Sequence, residues 1–212
     1  MKEVMIAGFG GSLRNGSFNR MLLNAAAGLM PEHSALEIVE ISDIPLFNQD
    51  LEKNMPPAVI EFKRKVSAAD GVLVSTPEYN YSVPGFIKNV IDWGSRPYGK
   101  SCFDGKPVAL MSAGGRLGGA RAQYSLRQSF VFLNMKQFNM PEVFVMNPAD
   151  KFDENGNLKD EGVRENIRQL LLQFVQIVQG MMQAVSKPDC GLKKERCPRS
   201  SIRGNNKIWL RS

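Results

Sequence analysis

Histidine and cysteine are scarce in these 212 residues, which contain one histidine, His33, and three cysteines, Cys102, Cys190 and Cys197. No two cysteines form a CxxC pair, so sequence neighbours supply neither a zinc ligand set nor the thiolates of an iron–sulfur cluster. Long apolar runs are missing too. No stretch approaches the ~20 residues of a membrane helix, and the N-terminus carries neither the basic flank nor the apolar segment of a secretory signal. A soluble protein of a reducing, cytoplasmic compartment is the reading these absences leave. No nucleophile–base set and no carboxylate pair suited to acid–base work is visible, so the chemistry must have another carrier.

A basic body is also absent, although the formal net charge of +6 suggests one. From Ser186 onward stand eight basic residues and two acids, which account for the whole +6, while residues 1–185 hold 19 of each sign. Nucleic-acid binding by the body has no electrostatic footprint. The tail "SKPDCGLKKERCPRSSIRGNNKIWLRS" reads as a disordered or non-native appendage, with a weak contact to RNA or acidic surfaces or a metal or disulfide role for Cys190 and Cys197 as alternatives. The expected division is therefore one domain over 1–185 and a basic tail over 186–212.

What is present is an alternation. Apolar runs at Val4–Phe9, Leu36–Ile41, Gly71–Thr76, Pro107–Ser112 and Glu142–Met146 show little polar alternation, as parallel strands buried on both faces do. Between them, helix-period segments cover Asn19–Met30, Pro57–Ala69, Gly85–Trp93 and Gly119–Leu133, and a long amphipathic segment closes the body near Lys159–Val185. Five strands alternating with helices predict an α/β doubly wound sheet, whose ligands bind beyond the carboxyl ends of the strands. "FDENGNLKDEG" lacks the ligand spacing of a calcium loop. The apolar residues of the third and fourth helices, among them Phe86, Ile87, Val90, Ile91 and Trp93, then Phe130, Val131, Phe132 and Leu133, exceed what one sheet face needs. They are read as core or as an interface between copies.

Three loops follow strand ends. In "GGSLRNGSFN" the dinucleotide pattern GxGxxG fails, because Leu13 stands where the third glycine belongs. A phosphate cradle fits better: Ser12, Ser17 and Asn19 offer donors, Arg14 a fixed charge, and the next helix its free N–H groups. Capping of that helix would need only one such residue. In "PEYNYSVPG" two prolines stiffen the backbone and two tyrosines offer flat apolar surface with a polar tip, the setting for a planar ring. Glu78 there is read as a solvated carboxylate. In "AGGRLGGAR" the glycines admit close approach of a ring or a tight bend; Arg116 and Arg121 are candidates for the phosphates of a second, transient ligand or for ordinary ion pairs, and Arg121 equally for an intersubunit contact.

"GSLRNGSFNR" at 11–20, "TPEYNYSVPGFIKNVIDW" at 76–93, "GGARAQYSLRQSFVFL" at 118–133 and "PEVFVMNPADKFDENGNL" at 141–158 together resemble the NADPH-dependent FMN reductase family, in its branch of flavodoxin-like quinone, azo-dye and chromate reductases. The resemblance implies a flavodoxin-like sheet of order 2-1-3-4-5, non-covalent FMN, NADPH or NADH as transient hydride donor, and a homodimer or homotetramer. Carried onto this chain, Ser12, Arg14, Ser17, Phe18 and Asn19 lie along the phosphate and ribityl chain. Pro77, Glu78, Tyr79 and Asn80 line the ring, and Ser112 lies at the other side of the pocket. "MSAGGRLGG" is shorter than in many relatives. A flavin as carrier of the chemistry agrees with the missing catalytic side chains. A flavodoxin-type electron carrier is the main rival, although such carriers are usually acidic and this body is neutral; a flavin- or nucleotide-binding regulator using the tail is a second.

Overall fold

The computed structural model describes residues 3–186 of the chain. The basic tail, apart from Ser186, lies outside the described residues, together with Cys190 and Cys197. Six strands form the sheet: β1 (Val4–Gly10), β2 (Ser34–Ile38), β3 (Gly71–Ser75), β4 (Pro107–Gly114), β5 (Lys136–Gln137) and β6 (Val143–Met146). Five helices accompany them: α1 (Phe18–Ala27), α2 (Pro57–Ala68), α3 (Gly85–Gly94), α4 (Ala120–Phe132) and α5 (Glu161–Ser186). Every pairing is parallel, in the order β2-β1-β3-β4, and the far edge is shared by β5 and β6. The expected fifth strand is thus split. β5 pairs with Pro107 and Val108 at the start of β4, and β6 with Met111 to Gly114 at its end.

Period-2 alternation sends neighbouring side chains to opposite faces of the sheet. Val72 and Val74 of β3, with Val108 and Leu110 of β4, meet α2, α3 and α4 through Val59, Phe62, Ile87, Val90, Leu126 and Phe130. Leu73, Ala109 and Met111 face the other way, onto α1 and α5 through Leu22, Leu23, Ile167, Leu170 and Phe174. Burial on both faces explains why these strands read as continuous apolar runs.

Element ends differ from the sequence reading for local reasons. Asp160 accepts the amide of Val163 at 2.9 Å and starts α5 at Glu161, while α1 ends at Ala27, short of Met30, with Gly28 as its C-cap in a right-handed conformation. β2 ends at Ile38; Val39 donates one further bond to Gly8, and Val39, Ile41 and Ile44 then bury as irregular chain. An apolar run alone does not separate these two outcomes. The surplus apolar residues of α3 and α4 are mostly core. Ile87, Val90, Ile91, Trp93, Phe130 and Leu133 are buried, Phe86 packs against them, and only Val131 and Phe132, 72% and 77% exposed, face outward.

Two features bring the strand ends together. Gly10 has φ +136°, and a Cβ there would stand 1.9 Å from the carbonyl oxygen of Ser75, so only glycine lets β1 pass so close to β3. Gly11 then donates to that same carbonyl at 2.8 Å. Asn19, 3% exposed, completes the join: its Nδ2 donates to the carbonyl of Ala113 at 2.8 Å, and its Oδ1 accepts from the amide of Ala113 at 2.9 Å and from Ser75 Oγ at 3.0 Å. One carboxamide thereby ties the start of α1 to the ends of β3 and β4.

Buried polar groups left without partners cost far more than a hydrogen bond gains. Asn19→Ala should therefore lower the unfolding free energy by about 2–4 kcal/mol, measured by urea titration; a loss below about 1 kcal/mol would show that the join is not structural. Cys102 is buried, and burial, opposed by the nearby Lys63, pushes its thiol up to about 11. Iodoacetamide at pH 8 should leave Cys102 unmodified in the native chain and alkylate it after denaturation, as read by peptide mass mapping; fast native labelling would contradict its burial.

Candidate functional site

A cleft of about 570 Å³ opens at the carboxyl ends of β1, β3, β4 and β6. The first loop contributes Ser12, Arg14, Ser17, Phe18 and Asn19, and the second Pro77, Glu78 and Tyr79. Ala113, Gly114 and Gly115 come from the end of β4, and Asn147 to Asp150 from the segment after β6. Eight of the ten expected site residues therefore line one cavity. Size does not single it out, since a groove of about 810 Å³ lies at the opposite end of the sheet beside Pro107 and Met182. That groove's cation, Lys106, already donates to the carbonyls of Ser67 and Ala69. Donor chemistry distinguishes the cleft.

Ser17 caps α1, its Oγ accepting the amides of Arg20 at 3.3 Å and Ser12 at 2.9 Å. Ser12 Oγ accepts the amide of Arg14 at 3.1 Å and the hydroxyl of Tyr79 at 3.0 Å. A hydroxyl has two lone pairs and one proton. Both serines have their lone pairs filled, so what each retains is its O–H donor. The amides of Phe18 and Asn19, in the first turn of α1, have no acceptor one turn back. Arg14 lies with its guanidinium 5.3 Å from the ring centroid of Phe18, which itself stacks on Phe152 at 5.8 Å. Among the described residues no carboxylate lies within ion-pair distance of Arg14. The neighbouring cation is occupied: Arg20 pairs with Glu40. The floor of the cleft is a cluster of hydrogen-bond donors and one unneutralised charge, the chemistry of an anion site.

The second loop is a tight hairpin. Tyr79 and Ser82 exchange backbone bonds at 3.2 and 3.0 Å, with Asn80 and Tyr81 at φ +49° and +66°, the pattern of a type I′ turn. Asn80 sits at the exposed tip, outside the cleft lining. Glu78 is not the solvated carboxylate the sequence suggested. Its side chain is 10% exposed, and it takes the Arg121 amide at 3.0 Å, Nε at 2.6 Å and Nη2 at 2.5 Å. The hydrogen bond that Arg121 donates to Glu78 raises its pKa above the ordinary value. Arg121 also lies 3.5 Å from the centroid of the Tyr81 ring, which favours a bulky residue in a left-handed conformation. Arg121 is thus a tether of the hairpin, its charge matched by Glu78, while Arg116 stands exposed on the loop after β4.

Ser112 lies one layer below the cleft and does not line it. Its hydroxyl donates to the carbonyl of Gly118 at 2.5 Å and accepts from Gln123 Nε2 at 2.8 Å, with no exposed surface. A Cβ on Gly119 would stand 2.8 Å from the Ser112 Cβ, so the glycine-rich loop presses directly onto it. Asn19 likewise turns its side chain inward and leaves its backbone to the cleft. Residues 147–150 were not foreseen as site residues. The signal was available, because they follow a strand end on the same edge of the sheet.

Residues 4–150 match the sequence family described as NADPH-dependent FMN reductase. An NAD(P)H-dependent FMN reductase of Pseudomonas aeruginosa is 47% identical over 171 residues, covering 80% of this chain and 92% of that protein. An NADPH:quinone oxidoreductase of Arabidopsis thaliana is 45% identical over 177 residues, covering 80% and 89% respectively. The solved structure of FerB, a flavoenzyme NAD(P)H:(acceptor) oxidoreductase from Paracoccus denitrificans, superposes with a TM-score of 0.76 at 32% identity, covering 84% of this chain and 98% of that one. With a doubly wound sheet whose strand ends open onto this cleft, and with these likenesses over most of its length, this chain belongs to the NADPH-dependent FMN reductase family.

Proposed function

We propose that this chain is an FMN-dependent NAD(P)H oxidoreductase that delivers two electrons to quinones. The observation that carries the reading is the floor of the cleft, where two serine hydroxyls with filled lone pairs, the first turn of α1 and Arg14, which has no carboxylate partner among the described residues, converge. An FMN phosphate is a dianion with acceptors only, and this donor set fits it. Riboflavin, lacking the phosphate, would leave those donors unanswered.

Ser12, Arg14, Ser17 and the amides of Phe18 and Asn19 hold the phosphate in this reading. Pro77, Glu78 and Tyr79 form one wall for the ring, presenting backbone groups and the Tyr79 ring, and Ala113 to Gly115 form the facing wall, where missing side chains leave room. Asn80 frames the rim of the hairpin; Ser112 and Asn19 act from beneath by fixing the loops. Asn147 to Asp150 close the remaining side. When bound, FMN supplies hydride chemistry between a nicotinamide and an oxidised acceptor. The protein's contribution is to anchor the phosphate, fix the ring between stiff loops and leave one side open to visitors.

The open side suits flat acceptors in general, so azo compounds are further candidate acceptors, and chromate a small oxidised one. Val131 and Phe132, exposed on α4, are the surface we assign to a homodimer, with a homotetramer as a further assembly. No helix among the described residues is long and apolar enough to cross a membrane. We place the enzyme in the cytoplasm, where NAD(P)H is available and Cys102 stays reduced.

Purified protein reconstituted with FMN should bleach on anaerobic addition of NADPH and recolour on addition of a quinone. Bound flavin that NADPH leaves oxidised would favour an electron carrier instead. Arg14→Ala should raise the FMN dissociation constant roughly 10- to 100-fold, as expected for a charge-assisted hydrogen bond; unchanged affinity by calorimetry would remove Arg14 from the phosphate site.

A further inference from the structure

Tyr79 comes from the wall of the cleft, yet its hydroxyl ends in the floor. The ring is about half exposed, at 47%, and the Oη donates across the mouth to Ser12 Oγ at 3.0 Å, joining residues 67 positions apart. Ser12 has a second donor on it, the amide of Arg14 at 3.1 Å. Without Tyr79 one lone pair of Ser12 would be free, and the serine proton would have no fixed direction. With Tyr79 in place both lone pairs are filled, and the proton is left to the remaining tetrahedral position.

We propose that Tyr79 is a positioning residue of the phosphate site: acting through Ser12, it orients the serine proton toward the bound phosphate and so couples the ring wall to the anion floor. The proposal rests on the reading of this cleft as an FMN site. Two further features favour it. The hairpin bearing Tyr79 is fixed on both sides of that residue, by the Glu78–Arg121 pair and by Arg121 against Tyr81, so the hydroxyl is presented by a braced element. The hydroxyls of Tyr79 and Ser12 also form a run of O–H donors that ends at the phosphate, while the Ser12 amide, donating to Ser17 Oγ at 2.9 Å, holds the Ser12 backbone to the helix cap. Hydrogen bonds in such a chain polarise one another, which strengthens the terminal donor.

The test is a double-mutant cycle on apoprotein titrated separately with FMN and riboflavin. Tyr79→Phe keeps the ring and deletes the hydroxyl. It should weaken FMN roughly five- to tenfold, the scale of one hydrogen bond, and leave riboflavin affinity unchanged. Ser12→Ala should weaken FMN by at least as much, and the double variant should bind FMN as Ser12→Ala does, because Tyr79 acts only through the serine. Equal weakening toward both flavins would overturn the proposal, since the hydroxyl would then be holding the loop rather than orienting a phosphate donor. Unchanged or tighter FMN binding by Tyr79→Phe would also overturn it, because the serine proton would then point at the tyrosine. Strict additivity of the two substitutions would overturn it as well. A wild-type protein that takes up neither flavin would instead sink the site itself, an outcome distinct from all of these.

Discussion

The carboxamide of Asn19 sits where three chain segments must meet, and the site depends on that meeting. Its oxygen and nitrogen close onto both the amide and the carbonyl of Ala113, and the oxygen also accepts the Ser75 hydroxyl. A polar group so buried is tolerated only when paired, and once paired it has a single acceptable geometry. That geometry fixes the first turn of α1 against the ends of β3 and β4. The loops leaving those strands then converge on one cleft. The glycine pair Gly10–Gly11 is the other half of the constraint, since a side chain at Gly10 would hold β1 away from Ser75.

Charge is distributed so that few cations remain available near the mouth. Arg20 is matched by Glu40 and Arg121 by Glu78, whereas Arg14 lies over the Phe18 ring with no carboxylate in ion-pair distance among the described residues. The neutral body seen in the composition is therefore not uniform at close range. In the proposed reading, the Arg14 guanidinium, two serine O–H groups and a helix start make a compact anion site without giving the protein a basic surface. Beyond that floor the walls change character to proline, tyrosine and glycine, which suits a ligand that is anionic at one end and flat at the other. The hairpin at Tyr79–Ser82 is shared by both regions: Arg121 braces it from α4, and Tyr79 reaches from it into the floor.

Much of this was legible in the sequence because it depends on local pattern. Buried parallel strands show as unbroken apolar runs, and the cluster of serines and arginine among glycines follows the first of them. What escaped depends on partners distant along the chain. Glu78 looks like a solvated acid until Arg121, 43 positions away, folds onto it. Asn19 looks like a ligand donor because its type is polar, and Ser112 is placed at the pocket by the resemblance, but their side chains answer backbone groups in the interior. β5 is two residues long and has no periodicity to detect. The loop at 147–150 was passed over because its residues are chemically plain, although its place after β6 puts it at the same edge as the others.

The central claim is that the floor of this cleft holds a phosphate in its dianionic form. Phosphorus NMR of the FMN complex tests it most directly, because a free phosphomonoester takes up a proton with a pKa of about 6. Saturation by Arg14 and the aligned donors should hold the bound resonance at its dianion position as pH falls from about 8 to about 5. A bound resonance that shifts with a midpoint near 6, as in free FMN, would contradict the account.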